Sequence, residues 1–366
     1  MNPKNSIRKK AIITGATGGL GRNLGEFLTK EGWKVLGFGR NQTIGKSLGY
    51  PFKSFDLSNY EETLNAFEEA DVLFHCSALS SPWGKYDDFY QNNVVATQNV
   101  LEAMKKYNIP KLVHVSTPSI YFDFTNQRNI DETYRPKEFV NAYAKTKYLA
   151  EQLVLNADIQ ASIIRPRGIF GEHDTVLIPR LEKVAQKGFL PLPNGGKALV
   201  DITYVGNVLH AMYLCATKEL EGKHIFNISN GEPIEIERIF KMVMKTVNKE
   251  PKYKKISYKT MYYLATLLEF IAKLTGGKEP MITKYGVGLI SFDQTLDLTK
   301  AKEVLGYEPL YTIEEGLERY AKSRQSLTDK LGAILKTEKQ YENIDTLVAD
   351  AYTKEMNQKY INKENI

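Results

Sequence analysis

Short apolar runs closed by glycine or polar turns alternate with longer amphipathic stretches over the first 165 residues. Lys10–Thr14, 34–38, a third run closing at Phe55-Asp56-Leu57, Val72–His75 and Lys111–Val115 read as buried strands. Stretches 22–31 (ending at Gly32), a run starting near Tyr60, 93–101 and 143–155 read as helices. That alternation predicts an α/β fold, a doubly wound parallel sheet. The expected division is one unit over 1–165 and a smaller C-terminal α/β unit over 166–322. Strands around Ile163 and within about 200–229, notably 224–228, are expected to return to the main sheet. Residues 323–366 are expected to form an extension, helical or partly disordered.

At 366 residues, 42% hydrophobic and 25% charged, the chain has the balance of a folded protein with a substantial core. Its net charge of +6 is small and dispersed and gives no ground for a nucleic-acid partner. Cys76 and Cys215 make neither a disulfide framework nor a metal-ligand cluster, so no metal is expected and a reducing cytoplasm is the simplest compartment. Residues 1–10 are polar and run straight into a strand, leaving no room for a signal-peptide apolar segment. No run approaches the roughly 18 apolar residues of a membrane span. The most apolar stretch, 261–274, is interrupted by Thr266, Glu269 and Lys273.

Between the first strand and the first helix lies Thr14-Gly15-Ala16-Thr17-Gly18-Gly19-Leu20-Gly21, with glycines at 15, 18 and 21. Glycines so placed allow a tight turn, close approach of the backbone to a pyrophosphate, and packing of the helix on the sheet. The unit is therefore expected to be Rossmann-like, with Gly15, Thr17, Gly18, Gly19, Leu20 and Gly21 at a dinucleotide. A glycine-rich turn without a ligand is the bland alternative. Two further glycines at set offsets arise by chance about once in two hundred tries, and the flanking strand and helix lower that figure.

Tyr-x-x-x-Lys places a phenol and an ammonium on one helix face. The lysine charge is expected to draw the tyrosine below its usual range so that it trades a proton near neutrality. With 22 tyrosines, about two chance matches are expected, and the chain has two. In Tyr107-Asn108-Ile109-Pro110-Lys111 the proline breaks the helix. Tyr143-Ala144-Lys145-Thr146-Lys147 runs on in a helix-favouring stretch. Thr117, at the end of the fifth strand, joins Tyr143 and Lys147 as a candidate catalytic set for carbonyl reduction or alcohol oxidation, its hydroxyl bonding the substrate oxygen.

The Thr-Gly-x-x-Gly-x-x-Gly loop and the Thr117, Tyr143, Lys147 set resemble the extended short-chain dehydrogenase/reductases, over residues 10 to about 320. Segments 115–123, 165–171 and 201–208 resemble the 3β-hydroxysteroid dehydrogenase-like branch. Ser116-Thr117-Pro118-Ser119 with Phe122-Asp123, Trp83-Gly84 and 92–100 are similar to bacterial 2-alkyl-3-oxoalkanoate reductases. The resemblance implies that 1–165 binds NADP and 166–322 binds substrate. It also implies cofactor contacts from Asp56, Leu57, Ser77, Ala78, Tyr143, Lys147 and Pro166. Asp56 reads equally as an N-cap of the helix near Tyr60. Family members that use NAD carry Asp where Gly39 stands, and Arg40 follows with a guanidinium suited to a 2′-phosphate, so NADP is expected over NAD.

The implied reaction interconverts a 3-oxo and a 3-hydroxy group on an apolar acyl or sterol-like substrate. Nucleotide-sugar epimerases and dehydratases share fold and triad. They usually carry an arginine where Val200 precedes Asp201, and Arg-Pro-Gly-Asp late in the chain, which 294–297 lacks. A non-catalytic dinucleotide sensor is the third reading. For 261–274 a core helix and a lid or membrane-surface helix stand as equals, the latter favoured by neighbouring lysines. Peripheral membrane contact there, and a homodimer, are the partner expectations besides the small molecule.

Overall fold

The computed structural model describes residues 9–338. Seven parallel strands form the central sheet: β1 (Lys10–Thr14), β2 (Lys34–Gly39), β3 (Phe52–Ser54), β4 (Val72–His75), β5 (Lys111–Val115), β6 (Gln160–Pro166) and β7 (Lys223–Ile228). Their spatial order is β7-β6-β5-β4-β1-β2-β3. The order reverses between β1 and β4, which opens a crevice beyond their C-terminal ends, where a doubly wound sheet takes its ligand. Ile12, Ile13, Leu73, Phe74, Leu112 and Val113 are fully buried, as strands covered by helices on both faces require.

The third strand ends at Ser54, so Phe55-Asp56-Leu57 lies just past it and not within it. The first helix, α1 (Gly19–Lys30), starts three residues earlier than the apolar period suggests, because glycines fill its first turn. The helix expected over 93–101 is compound. A π-helical turn, Tyr90–Val95, runs into α2 (Ala96–Lys106), which stops at Tyr107 with Asn108 left-handed at φ 51°. α3 (Ala142–Asn156) carries Tyr143 and Lys147 on consecutive turns and is capped by Asn141, whose side chain accepts from Ala144 N–H at 2.8 Å.

Within 200–229 only β7 joins the main sheet; Leu199–Val200 and Thr203–Tyr204 are too short to span it and pair in small sheets. A second core forms around Phe170, Ile178, Leu190, Tyr204, Ile239, Phe240 and Leu317. α6 (Ile313–Glu338) packs into it through Ile313, Leu317 and Tyr320, while α4 (Tyr258–Leu274) and α5 (Lys284–Leu289) share a small cluster of their own around Met261, Ala265 and Val287. α6 continues through 323–338, so that part of the expected extension is helical, and Arg324 bonds Glu182 at 2.8 Å. The remainder, 339–366, lies outside the described residues.

Helix α4 is not a core helix. Only Met261, Ala265 and Ala272 are buried, while Tyr263, Leu264, Leu267, Phe270, Ile271 and Leu274 point outward, Leu274 at 71% exposure. Those six recur at intervals of three and four and make one continuous stripe. No helix of the described residues is long and apolar enough to cross a membrane.

Candidate active site

The glycine loop is shaped by close contacts. Gly15 has φ +69°, and a Cβ there would come 2.8 Å from Ser77 N. A Cβ on Gly21 would overlap the Gly15 carbonyl. A side chain at either position would push the loop off β4 or lift α1 from the turn. The Gly18 N-cap has no side-chain cap, and the first turn of α1 has no acidic residue. Its N–H groups and positive end therefore face the crevice, and the residues present fit a dinucleotide pyrophosphate.

Buried polar groups brace the neighbouring strand ends. Thr14 Oγ1 lies 2.7 Å from His75 Nδ1 and accepts from Ser77 N–H at 3.3 Å. His75 Nε2 meets Thr97 Oγ1 at 3.0 Å. Asn93, in the π turn, accepts from Leu79 N–H at 2.7 Å and donates to Thr146 Oγ1 at 3.0 Å. It thus ties the loop carrying Ser77 and Ala78 to the helix carrying Tyr143 and Lys147. π turns of this kind recur at functional sites because the extra residue re-aims one side chain.

On the far side, β2 ends at Gly39, and exposed Arg40 reaches Asp56, Nη1 to Oδ2 at 3.5 Å. Asp56 Oδ1 accepts from Ser58 N–H at 2.9 Å, whereas the N-cap of the helix Tyr60–Ala66 is Asn59; Asp56 sits three residues too early for that task. Leu57 turns its side chain into the core and its carbonyl accepts from Asn99 at 2.9 Å, so Asp56 is the polar member of the pair at the surface. Pro166 is buried at the end of β6.

Thr117, Tyr143 and Lys147 meet at the end of β5. Tyr143 is half-buried, its hydroxyl next to Thr117 and Ser80. Burial raises its pKa, and those two hydroxyls offset only part of the rise. The expected depression by Lys147 is therefore corrected. Lys147 is 2% exposed, its Nζ donates to Val115 O at 2.8 Å and stands 3.4 Å from His114 Nε2. Burial brings Lys147 itself down to about 8, with Glu151 and Cys76 pulling the other way. His75 is held down at about 3 by burial and the nearby lysine, so it is neutral at pH 7. The other Tyr-Lys match has no shared face: Tyr107 leaves the helix and bonds Leu64 O at 2.9 Å.

Three groups at the site escaped the sequence reading. Ser119 N–H donates to Thr117 Oγ1 at 3.1 Å, and Thr117 Oγ1 donates to Ser119 Oγ at 2.9 Å. Ser119 Oγ meets Tyr285 Oη at 2.6 Å. Tyr285 comes from α5, and burial raises it to about 12 despite Ser119 and Arg167. Nothing local marks Tyr285, 142 positions from Tyr143. Ser119 stands inside the segment Ser116-Thr117-Pro118-Ser119 and Ser80 two residues past Ala78, so their place in the sequence is their signal.

Aromatic rings lead outward from this point. Phe122 packs edge-on to Tyr285 with centroids 6.0 Å apart and on Phe124 at 5.0 Å; Phe124 meets Tyr262 of α4 at 6.1 Å. Trp83 Nε1 donates to Gly277 O at 2.7 Å, tying the loop after β4 to the turn after α4. A separate surface hollow of about 640 Å³, lined by Pro110, Asp158 and Lys223 among others, opens at the N-terminal edge of the sheet, away from this site.

The profile of the NAD dependent epimerase/dehydratase family matches residues 11–229. The uncharacterized protein YbjS of Escherichia coli is 38% identical over 85% of this chain and 96% of its own length. A 2-alkyl-3-oxoalkanoate reductase of Shewanella oneidensis is 33% identical over 84% of each chain. The decarboxylating sterol-4-alpha-carboxylate 3-dehydrogenase of Mus musculus is 32% identical over 87% of this chain and 91% of its own. Among solved structures, MoeE5 in complex with UDP-glucuronic acid and NAD shares the fold at a TM-score of 0.69 and 20% identity, over 87% of this chain and 99% of its own. The glycine cradle, the Tyr143 helix and these relatives together place the chain in the NAD dependent epimerase/dehydratase family, as an NAD(P)-dependent oxidoreductase of its 3β-hydroxysteroid dehydrogenase-like branch.

Proposed function

We propose that the protein is an NADP(H)-dependent reductase of a 3-oxo group on an apolar acyl or sterol-like substrate. The observation that carries this reading is Tyr143, its hydroxyl beside Thr117, at the inner end of an aromatic path formed by Tyr285, Phe122, Phe124 and Tyr262. A bound nicotinamide supplies the hydride. The chain supplies the rest: Thr117 orients the carbonyl oxygen, Tyr143 delivers a proton to it, and Lys147 adds positive charge beside the nicotinamide ribose. A tyrosine raised above its usual range is a phenol at pH 7, which is the form that donates.

For the cofactor, the end of β2 offers Gly39 and a solvent-facing guanidinium. The Arg40–Asp56 contact is exposed and worth little, so it does not hold Arg40 away from a 2′-phosphate. NADPH oxidation followed against a 2-alkyl-3-oxo acid, a 3-ketosteroid and a UDP-sugar tests the whole reading. Turnover is expected with one of the first two, with a KM for NADPH at least about 10-fold below that for NADH, and Arg40→Ala is expected to erase most of that difference. Preference for NADH refutes the cofactor assignment; turnover of the UDP-sugar alone refutes the substrate class.

The outer stripe of α4 is assigned to an anionic bilayer surface. It is flanked by the exposed Lys259, Lys273 and Lys278, and its inner face adjoins the aromatic path, so an apolar substrate would pass from lipid to site beneath it. Sedimentation with phosphatidylglycerol-containing vesicles at low salt is expected, with loss of binding in Leu267→Glu and in high salt. Absence of binding at low salt removes the assignment, and a dimer that Leu267→Glu dissociates gives the stripe to a second copy instead.

A further inference from the structure

We propose that Arg167 is the anion-binding residue of the substrate site, gripping the carboxylate of a 3-oxo acid while Thr117 and Tyr143 take its 3-oxo oxygen. The inference rests on the reductase reading above and adds the polar end of the substrate to it.

Arg167 follows β6 at the ligand-binding edge of the sheet. Its backbone is pinned on both sides: its N–H donates to Ile228 O at 3.1 Å and its carbonyl accepts from Thr203 Oγ1 at 2.6 Å. The side chain is 8% exposed, and its Nε is buried without an acceptor. The guanidinium makes no hydrogen bond or ion pair with any described residue. The Nε–H is shut off from water without an acceptor and the terminal nitrogens have no described partner, so the charge is costly to hold there unless an anion completes it.

Arg165, two residues earlier, is the control within the same strand. Its guanidinium is wholly buried and fully occupied by Glu151, Tyr121 and the Glu132 carbonyl. Arg180, which also faces Tyr285, is paired with Glu279 at 3.2 Å. Asp201 is the carboxylate whose charge acts on Arg167; its Oδ2 accepts from Leu296 N–H at 2.7 Å, its Oδ1 has no hydrogen-bond partner among the described residues, and the two side chains form no ion pair. Arg167 alone among these three arginines keeps its fork open.

Placement relative to the reacting oxygen follows from the sheet. β6 runs beside β5 with Ile164 opposite Val115, and Ser116 N–H donates to the Ile164 carbonyl at 2.7 Å, so Thr117 and Arg167 leave neighbouring strands at the same edge. Tyr285, whose hydroxyl reaches Thr117 through Ser119, also acts on the charge of Arg167. A 3-oxo acid separates its carboxylate from its carbonyl by a single carbon, so it needs its two partners on adjacent strands. A guanidinium matches a carboxylate in two parallel hydrogen bonds.

The test compares the NADP⁺-loaded wild type with Arg167→Met and Arg167→Lys by calorimetric titration of myristate and tetradecan-1-ol. The wild type is expected to bind the acid about 30-fold more tightly than the alcohol. Arg167→Met is expected to bind both with the wild-type affinity for the alcohol, and Arg167→Lys to recover part of the difference. An unchanged affinity for NADP⁺ shows that the variants are folded. In turnover, the ratio of kcat/KM for a 3-oxo acid to that for the matching methyl ketone is expected to fall by a similar factor in Arg167→Met. Equal binding of acid and alcohol by the wild type overturns the proposal, as does equal loss of both in the variant. Binding of UDP that depends on Arg167, without acid selectivity, overturns it in favour of a diphosphate. Acid-selective binding without turnover of any ketone leaves Arg167 as a carboxylate site and refutes the reductase reading instead.

Discussion

Tyr143→Phe is expected to lower kcat for ketone reduction about 1,000-fold while leaving NADPH affinity within about twofold. The factor corresponds to about 4 kcal/mol of transition-state stabilisation. The ring keeps its place, since it packs near Phe89 with centroids 6.4 Å apart and most of its surface is covered by the chain. What is lost is the proton and the hydroxyl that faces Thr117 and Ser80. Full turnover in the variant would remove Tyr143 from the chemistry. The pH profile carries a second expectation. Tyr143 is raised by burial and stays protonated through neutrality, whereas Lys147, brought down to about 8, is the first of the two to lose its proton as pH rises. Reduction should therefore be level through pH 6–7 and begin to fall near pH 8. A Lys147→Met variant should lose that inflection along with much of its rate.

The difference between the expected and observed state of Tyr143 shows where sequence reasoning stops. Spacing along a helix correctly puts Tyr143 and Lys147 on adjacent turns, but it carries no information about depth. Lys147 points down to the Val115 carbonyl, and burial acts on both groups more strongly than either charge acts on the other. β1, β4 and β5 match the expected residues end for end because apolar runs buried on both faces and bounded by turns leave no choice of register. The third strand is misplaced by three residues because its exposed edge position leaves Lys53 and Ser54 polar, so the apolar signal shifts to Phe55 and Leu57. The fate of 261–274 needed the fold as well: both faces of that helix are apolar, and only the position of its neighbours decides which one is covered. Arg167 was within a quoted motif, but its open fork depends on Asp201 and Tyr285, 34 and 118 positions away, which no local pattern brings together.

Glu151→Ala is expected to destabilise the protein by about 3–5 kcal/mol, read as a fall in the midpoint of urea unfolding. Glu151 and Arg165 are both fully shielded from solvent and form a two-point contact, Nε to Oε1 at 2.9 Å and Nη2 to Oε2 at 2.5 Å. Removing the carboxylate strands a guanidinium that water cannot reach. Its remaining partners do not replace the charge: Tyr121 is itself tied to Asn227 at 2.8 Å, and Asn227 holds the Ile130 carbonyl at 2.8 Å, so the loss also loosens the join between β7 and the segment 127–130. The double variant Glu151→Leu with Arg165→Met should be more stable than either single variant, because the pair as a whole contributes far less than the cost of leaving one half alone. A cost below about 1 kcal/mol in Glu151→Ala would mean that the guanidinium finds solvent or another acceptor, against the closed geometry described above. The same change reaches the active site. Glu151 lies one turn beyond Lys147 and raises its pKa, so its loss should move the alkaline fall of ketone reduction to lower pH, a shift that a purely structural residue elsewhere in the core would not produce.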